Sequence, residues 1–333
     1  MSEIFVSGAN GYIAQHIIKI CVEKGYKVVG TVRSASKGDQ LVKDFGDNFS
    51  YEIVENIGEP NAFDEALKKH SNVSVFLHTA SPVRLEVEDA IKDIVEPAVA
   101  GTINALNAIK DYGVNVNKVV ITSSSAAVID AYNMTNPDGA LITEESWNPI
   151  RDEDAKVNPM YAYFVSKRNA EKAAWEFVKT QDVKFTLNTV CPTLIFGPQA
   201  FDANVRQNLN SSVKFLTNLV DQGPDAEIFA FDGTYVDVRD VAKVHVHAFE
   251  SDVTNFRYLP MTENYSFQTC ADIINEKIPS LKGKAAIGKP GSGLDVANRV
   301  YPWDNSKTMA YVENPISLEQ SVLDTINQYI ENK

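Results

Sequence analysis

The sequence predicts an α/β fold, a doubly wound parallel sheet with helices on both faces, followed by a smaller C-terminal domain. Three observations predict it. Short strands alternate with helical patterns from the first residues onward. Those strands are continuous apolar runs, as suits strands covered on both faces, rather than half-buried alternations. A glycine turn joins the first strand directly to the first helix.

Taken in order, Ile4 to Ser7 form a short apolar strand that Gly8, Ala9, Asn10 and Gly11 break. Ile13, Ile17, Ile18 and Cys21 then recur at helical spacing as far as Gly25. Tyr26–Val32 is a β-branched strand, Ala35–Phe45 a polar helix, Tyr51–Val54 a strand, Ala62–His70 a helix and Val73–His78 the fourth strand. A long helix is expected from about Glu88 to Tyr112, where Gly113 closes it, and Lys118–Ser123 is the fifth strand. The segment from Tyr132 to Asn158 is polar and holds Asn136, Pro137, Asp138, Gly139, Asn148 and Pro149, which reads as a surface loop or lid. Pro159 sits where a helix can begin, so Met160–Thr180 is read as a helix with Tyr163 and Lys167 in its first turns. Phe185–Val190 is the next strand, and beyond Pro192 the elements become shorter and mixed.

Composition narrows the function. The 333 residues are 44% hydrophobic and 23% charged, enough to bury a large core. A net charge of −13 argues against nucleic acid, whose binding rests on cationic contacts to phosphate, and against an anionic membrane surface. The expected ligand is therefore a small molecule. Cys21, Cys191 and Cys270 are odd in number and far apart, a pattern that fits neither a disulfide framework nor a zinc site. No apolar run reaches the ~18 residues of a membrane helix, and a strand at Ile4 leaves no room for a signal peptide. The expected setting is the cytoplasm, as monomer or homodimer. His245 and His247 stand two apart on a predicted helix and point to different faces, so no metal is expected.

Gly8-x-x-Gly11-x-x-Ala14 lies between strand and helix, the context in which a glycine motif means dinucleotide binding. Backbone can approach a pyrophosphate there, and the helix start offers amides and a positive dipole end. Gly8, Asn10, Gly11, Tyr12 and Ile13 are the expected contacts. An NAD site places a carboxylate at the end of the second strand, whereas this chain has Arg33 after Val32, with Lys37 four residues on. A guanidinium suits the extra phosphate of NADP(H).

Tyr163 and Lys167 form a Tyr-x-x-x-Lys pair, and residues four apart share a helix face. A cation beside a phenol favours its ionised form and makes it a usable acid or base. With 13 tyrosines in the chain, about one such spacing arises by chance, and a second stands at Tyr329 and Lys333. Context separates them: the first pair follows the fifth strand and the serines Ser123, Ser124 and Ser125 at its end and just beyond it, and the second lies at the C-terminus.

The glycine turn, Arg33, the serines and Tyr163-x-x-x-Lys167 occur in the order found in the extended short-chain dehydrogenase/reductases, which the chain resembles over nearly its whole length. His78-Thr79-Ala80-Ser81-Pro82, Thr122-Ser123-Ser124, Tyr163 to Lys167 and Pro192-Thr193 are similar to the dihydroflavonol-reductase-like branch, and within it to fungal NADPH-dependent methylglyoxal, aldehyde and ketone reductases. The resemblance implies a Rossmann NADP-binding domain over residues 1–190, with a return segment near 236–250, and a mainly substrate-binding domain over 191–333. It implies that Tyr163 protonates a carbonyl oxygen, that Lys167 assists it and holds the nicotinamide ribose, and that Ser124 rather than its neighbours hydrogen-bonds the carbonyl. Asn56, Ile57, Thr79, Ala80, Ser81, Thr122, Pro192, Thr193 and Ile195 are implied to line the cofactor. Val83, Ser125, Ile129, Leu194 and Tyr235 are implied to line the substrate pocket. Asn56 stands where relatives commonly carry aspartate, and Ala98 where many carry asparagine.

The expected function is NADPH-dependent reduction of aldehydes, ketones or dicarbonyls. A nucleotide-sugar epimerase or dehydratase would want an acidic residue in place of Arg33. A regulator that senses NADP without chemistry would have no need of Ser124, Tyr163 and Lys167 together.

Overall fold

A computed structural model describes residues 3–81, 89–207 and 209–333. The chain divides into two compact units. The first comprises residues 1–132, 144–191 and 242–259, and the second residues 133–143, 192–241 and 260–333.

The first unit opens with β1 (Glu3–Ser7), α1 (Tyr12–Glu23), β2 (Lys27–Val32), α2 (Ala35–Phe45), β3 (Phe49–Ile53), α3 (Asp64–Lys69) and β4 (Val73–His78). It continues through α4 (Glu96–Tyr112), β5 (Lys118–Thr122), α5 (Pro159–Thr180) and β6 (Thr186–Val190). Then follow β7 (Leu194–Phe196), α6 (Ala203–Gln207), α7 (Ser211–Asp221), β8 (Asp232–Asp237), α8 (Val238–Glu250), β9 (Arg257–Tyr258) and β10 (Glu263–Ser266). The chain ends with α9 (Phe267–Lys277), α10 (Ser306–Met309) and α11 (Leu318–Asn332).

Seven strands form one sheet in the order β3-β2-β1-β4-β5-β6-β9, and all the pairings are parallel. Strand order reverses between β1 and β4, the switch point at which doubly wound sheets bind ligands. Register sets what emerges there. Ser7 is paired with His78, His78 with Ile121 and Thr122 with Val190, so the glycine turn, Thr79–Ser81 and the three serines leave the same edge of the sheet.

Core packing follows the sequence pattern. Ala14, Ile17, Ile18 and Cys21 form the buried face of α1. Phe5 stacks on Phe76 at 4.8 Å, and Phe63 meets Phe76 edge-on at 5.9 Å. Each such ring contributes about 2 kcal/mol through burial. In β2 a Cβ on Gly30 would fall 2.5 Å from Ala9, so glycine lets the turn after β1 press against the strand.

Three differences from the sequence reading concern local structure. The long fourth helix is not uniform, because a wider π-type turn at Ile91–Val95 precedes α4. The polar segment read as a loop contains a short 3-10 helix at Asp152–Lys156, and its residues 133–143 belong to the second unit. Half of the expected strand ends move by one or two residues, and the rest stand where the sequence places them.

The second unit is built on a three-stranded sheet in the order β10-β8-β7, with β8 antiparallel to β10 and parallel to β7. Phe196, Tyr235, Tyr265 and Phe267 pack in its core with Ile274, Val322 and Ile326. All three cysteines are buried and free. Among the described residues no helix is long and apolar enough to cross a membrane.

Candidate active site

The helix that carries the tyrosine starts at Pro159, with the Asn158 side chain accepting from the Tyr161 amide at 2.8 Å as its cap. Spacing of four places Tyr163, Lys167 and Glu171 down one flank of α5. The Lys167 ammonium lies 5.8 Å from the centre of the Tyr163 ring, and its side chain is buried. The Tyr163 hydroxyl donates to Ser124 Oγ at 3.3 Å, and Ser124 Oγ also accepts from the Ala126 amide at 3.1 Å. With both acceptor positions used, the Ser124 hydrogen is left to donate outward. Its neighbour is committed elsewhere, since Ser123 Oγ donates to Glu171 at 2.7 Å. Ser125 begins a short 3-10 turn. Of the three successive serines, Ser124 is the one held against Tyr163.

The glycine turn faces the end of β4. Gly8 has φ of +69°, the left-handed region open to glycine, and a Cβ there would lie 3.1 Å from Ala80. The turn is fixed to β2 by the Gly8 amide on Thr31 Oγ1 at 3.1 Å and the Ala9 amide on the Thr31 carbonyl at 2.9 Å. Gly11 caps α1 and supplies no side chain to the first turn, which leaves the helix start open to an anion. Arg33 and Lys37 are exposed at the end of β2 and the start of α2, and neither makes an ion pair among the described residues.

A family model described as the NAD dependent epimerase/dehydratase family matches residues 4–258. The chain belongs to that family. It is 40% identical over 336 residues to the NADPH-dependent methylglyoxal reductase GRE2 of Saccharomyces cerevisiae, with 98% of each protein covered. It is 34% identical over 315 residues to the ketoreductase azaE of Aspergillus niger, covering 92% of this chain and 90% of that one. The crystal structure of Gre2 from Candida albicans in complex with NADPH aligns with a TM-score of 0.96 at 44% identity, over 100% of this chain and 99% of that chain. The family is that of the extended short-chain dehydrogenase/reductases which the motifs resemble.

Several expected site residues of this family member have other partners. Asn56 is tied into its own turn, its Oδ1 accepting from Gly58 at 3.0 Å and its Nδ2 donating to Glu59 at 3.0 Å. The Ile57 carbonyl accepts from Asn104 at 3.0 Å. Thr122 Oγ1 lies 2.8 Å from His245 Nε2. Ile129 is buried, while Val83 lies outside the described residues. Pro192, Thr193, Leu194 and Ile195 belong to the second unit, where Thr193 Oγ1 is buried with no hydrogen-bond partner among the described residues. Tyr235 departs from its expected place in a pocket wall. It is wholly buried in the second unit, its ring stacked on Phe196 at 5.8 Å and its hydroxyl donating to the Ile316 carbonyl, so it packs the core.

Two groups escaped the sequence reading. Ser7 and His78 join the ends of β1 and β4, with Ser7 Oγ 2.9 Å from His78 Nδ1. Glu171, fully buried, faces Arg257 at 2.6 Å. Burial opposes its ionisation, but the Arg257 charge and the hydrogen bonds from Arg257, Ser123 and Trp175 outweigh it and hold the carboxyl below its ordinary range. A charged residue two turns past Tyr163, on the flank that faces the sheet, was the available signal for Glu171. A cavity of about 20 Å³, room for one water, lies among Lys167, Glu171, Ser123, Thr122 and Ala98.

The second Tyr-x-x-x-Lys pair has a different environment. Tyr329 donates to Asp221 at 2.5 Å, and Lys333 donates to the same carboxylate. Burial and Asp221 push the Tyr329 phenol up, the opposite of what a proton donor near neutral pH needs.

Proposed function

We propose that this protein is an NADPH-dependent carbonyl reductase that converts aldehydes, ketones or dicarbonyls of the methylglyoxal kind into alcohols. The observation that carries the reading is the contact of Tyr163 with Ser124, with Lys167 on the same helix flank, at the edge of the sheet where the glycine turn emerges. The residues fit the cofactor. The side-chain-free cap of α1 suits a pyrophosphate, and the exposed Arg33, with no ion pair among the described residues, suits a 2′-phosphate.

When bound, NADPH supplies the hydride that adds to the carbonyl carbon. Tyr163 gives its hydroxyl proton to the carbonyl oxygen as negative charge develops there. Ser124 donates its remaining hydrogen to the same oxygen, holding it in place before the charge appears. Lys167 stabilises the tyrosinate left behind, and a proton from solvent restores the phenol. Hydride and proton together make the alcohol. Residues 191–333, apart from the return segment near 236–250, are proposed to serve mainly in substrate binding. The nucleotide-sugar reading is disfavoured by Arg33, which stands where the ribose-binding carboxylate of an NAD site would be.

The test is NADPH oxidation by the purified protein against a panel of aldehydes, ketones and diketones that includes methylglyoxal, with chiral analysis of the alcohols. Turnover with dicarbonyls or aldehydes is expected. A protein that binds NADPH and consumes none of it across the panel would overturn the proposal.

A further inference from the structure

The buried carboxylate of Glu171 has more partners than an ion pair requires. It accepts from Arg257 Nε at 2.6 Å and Nη2 at 3.3 Å, from Ser123 Oγ at 2.7 Å, from Thr189 Oγ1 at 2.9 Å and from Trp175 Nε1 at 3.2 Å. Arg257 in turn donates to the carbonyls of Glu144 at 3.1 Å and Ser146 at 2.5 Å, and its guanidinium lies 3.7 Å over the Trp147 ring. One carboxylate on α5 thereby gathers the end of β5, the strands β6 and β9 and the segment at 144–147.

Stability is a poor reason for such an arrangement. Taking two charges out of water costs as much as their attraction returns, and an apolar pair of equal volume commonly serves as well. What the network does deliver is geometry. Ser123 and Ser124 are adjacent, and each is bound to α5, Ser123 to Glu171 and Ser124 to Tyr163, two turns apart on the same flank. Lys167 sits between these two attachments. The exit of β5 is thus fixed to the helix at two points, and the second point limits how far Ser124 can turn from the tyrosine.

We propose that Glu171, acting through Ser123, is a positioning residue that sets Ser124 against Tyr163 for carbonyl reduction. This inference rests on the reductase reading above. Hydrogen-bonded geometry at a reacting oxygen is sensitive to small displacement, and a misplacement of about 1 Å costs on the order of a hundredfold in rate. Loss of the Ser123 hydroxyl removes one attachment while leaving Glu171 paired with Arg257, so the fold is retained.

The experiment compares Ser123→Ala, Ser123→Thr and the unaltered protein in NADPH-dependent reduction of methylglyoxal or another carbonyl of the panel that the unaltered protein turns over. It repeats Ser123→Ala in a Ser124→Ala background. Expected are a fall in kcat of about tenfold or more for Ser123→Ala, with KM for NADPH within about twofold, and recovery of most of the loss in Ser123→Thr, which keeps the hydroxyl. In the Ser124→Ala background the same change should add little, because the group it positions is already gone. Ser123→Ala with undiminished kcat would overturn the inference, as would equal losses in both backgrounds or a threonine variant no better than the alanine one. Absence of any NADPH turnover by the unaltered protein would overturn the reductase reading, and this inference with it.

Discussion

Ser7 Oγ lies 2.9 Å from His78 Nδ1 and accepts the amides of Thr79 and Ala80, both at 3.1 Å. Having accepted twice, the Ser7 hydroxyl gives its hydrogen to Nδ1, which assigns the imidazole as neutral with its proton on Nε2. Burial, with the Lys167 charge adding to it, pushes the His78 pKa down to about 4. In the unfolded chain a histidine titrates near 6.5. Below ~6.5 the unfolded state therefore takes up a proton that the native state refuses until about pH 4, so stability falls with pH across that window and is unaffected above it. The full effect is roughly 3 kcal/mol. Denaturant unfolding at a series of pH values should show a steeper acid loss for the native sequence than for His78→Asn, and parallel curves would remove the assignment.

Ser7→Ala should be more damaging than its size suggests. The substitution leaves the Thr79 and Ala80 amides and the imidazole nitrogen without their shared partner, and each unsatisfied buried group costs about 1–3 kcal/mol. Expected is a loss of at least ~2 kcal/mol in unfolding free energy, together with weaker NADPH binding, because the glycine turn and the end of β4 are joined by this hydroxyl. Unchanged stability would show that the three groups find other partners.

Arg33→Asp should reverse the cofactor preference. An exposed guanidinium at the end of β2, with no ion pair among the described residues, can grip a 2′-phosphate by two hydrogen bonds, and a carboxylate would repel it. KM for NADPH should rise about tenfold or more while KM for NADH stays level or falls, a preference change worth ~1.4 kcal/mol or more. Equal effects on both cofactors would take phosphate recognition away from Arg33.

Tyr265→Phe probes the second unit. The Tyr265 hydroxyl is buried with no hydrogen-bond partner among the described residues, inside a ring cluster with Phe196 at 5.3 Å and Phe267 at 5.5 Å. Burying an unpaired hydroxyl is a cost, so its removal should leave the thermal midpoint level or raise it. A loss of more than about 1 kcal/mol would mean that the hydroxyl has a partner.

How much of this was legible in the sequence depends on the range of the interactions. The strand at Ile4 to Ser7, the glycine turn and the helix with Ile17, Ile18 and Cys21 are local patterns, and the structure reproduces them within a residue or two. The choice among Ser123, Ser124 and Ser125 was open from the residues alone, because three hydroxyls in a row carry no periodicity. Their separate contacts to Glu171 and Tyr163 distinguish the first two. The pairing of Glu171 with Arg257 joins residues 86 apart, with no motif between them. The π-type turn at Ile91–Val95 has no apolar signature of its own. β7 spans three residues, too few for an alternation to register.

Tyr163→Phe isolates the role of Tyr163 as proton donor, because the change removes one hydroxyl and keeps the ring. The measurement is kcat for NADPH-dependent carbonyl reduction alongside NADPH affinity by fluorescence titration. Expected is a loss of at least about a hundredfold in kcat with NADPH binding within a few-fold of the unaltered protein. Turnover that survives the substitution undiminished would contradict that role.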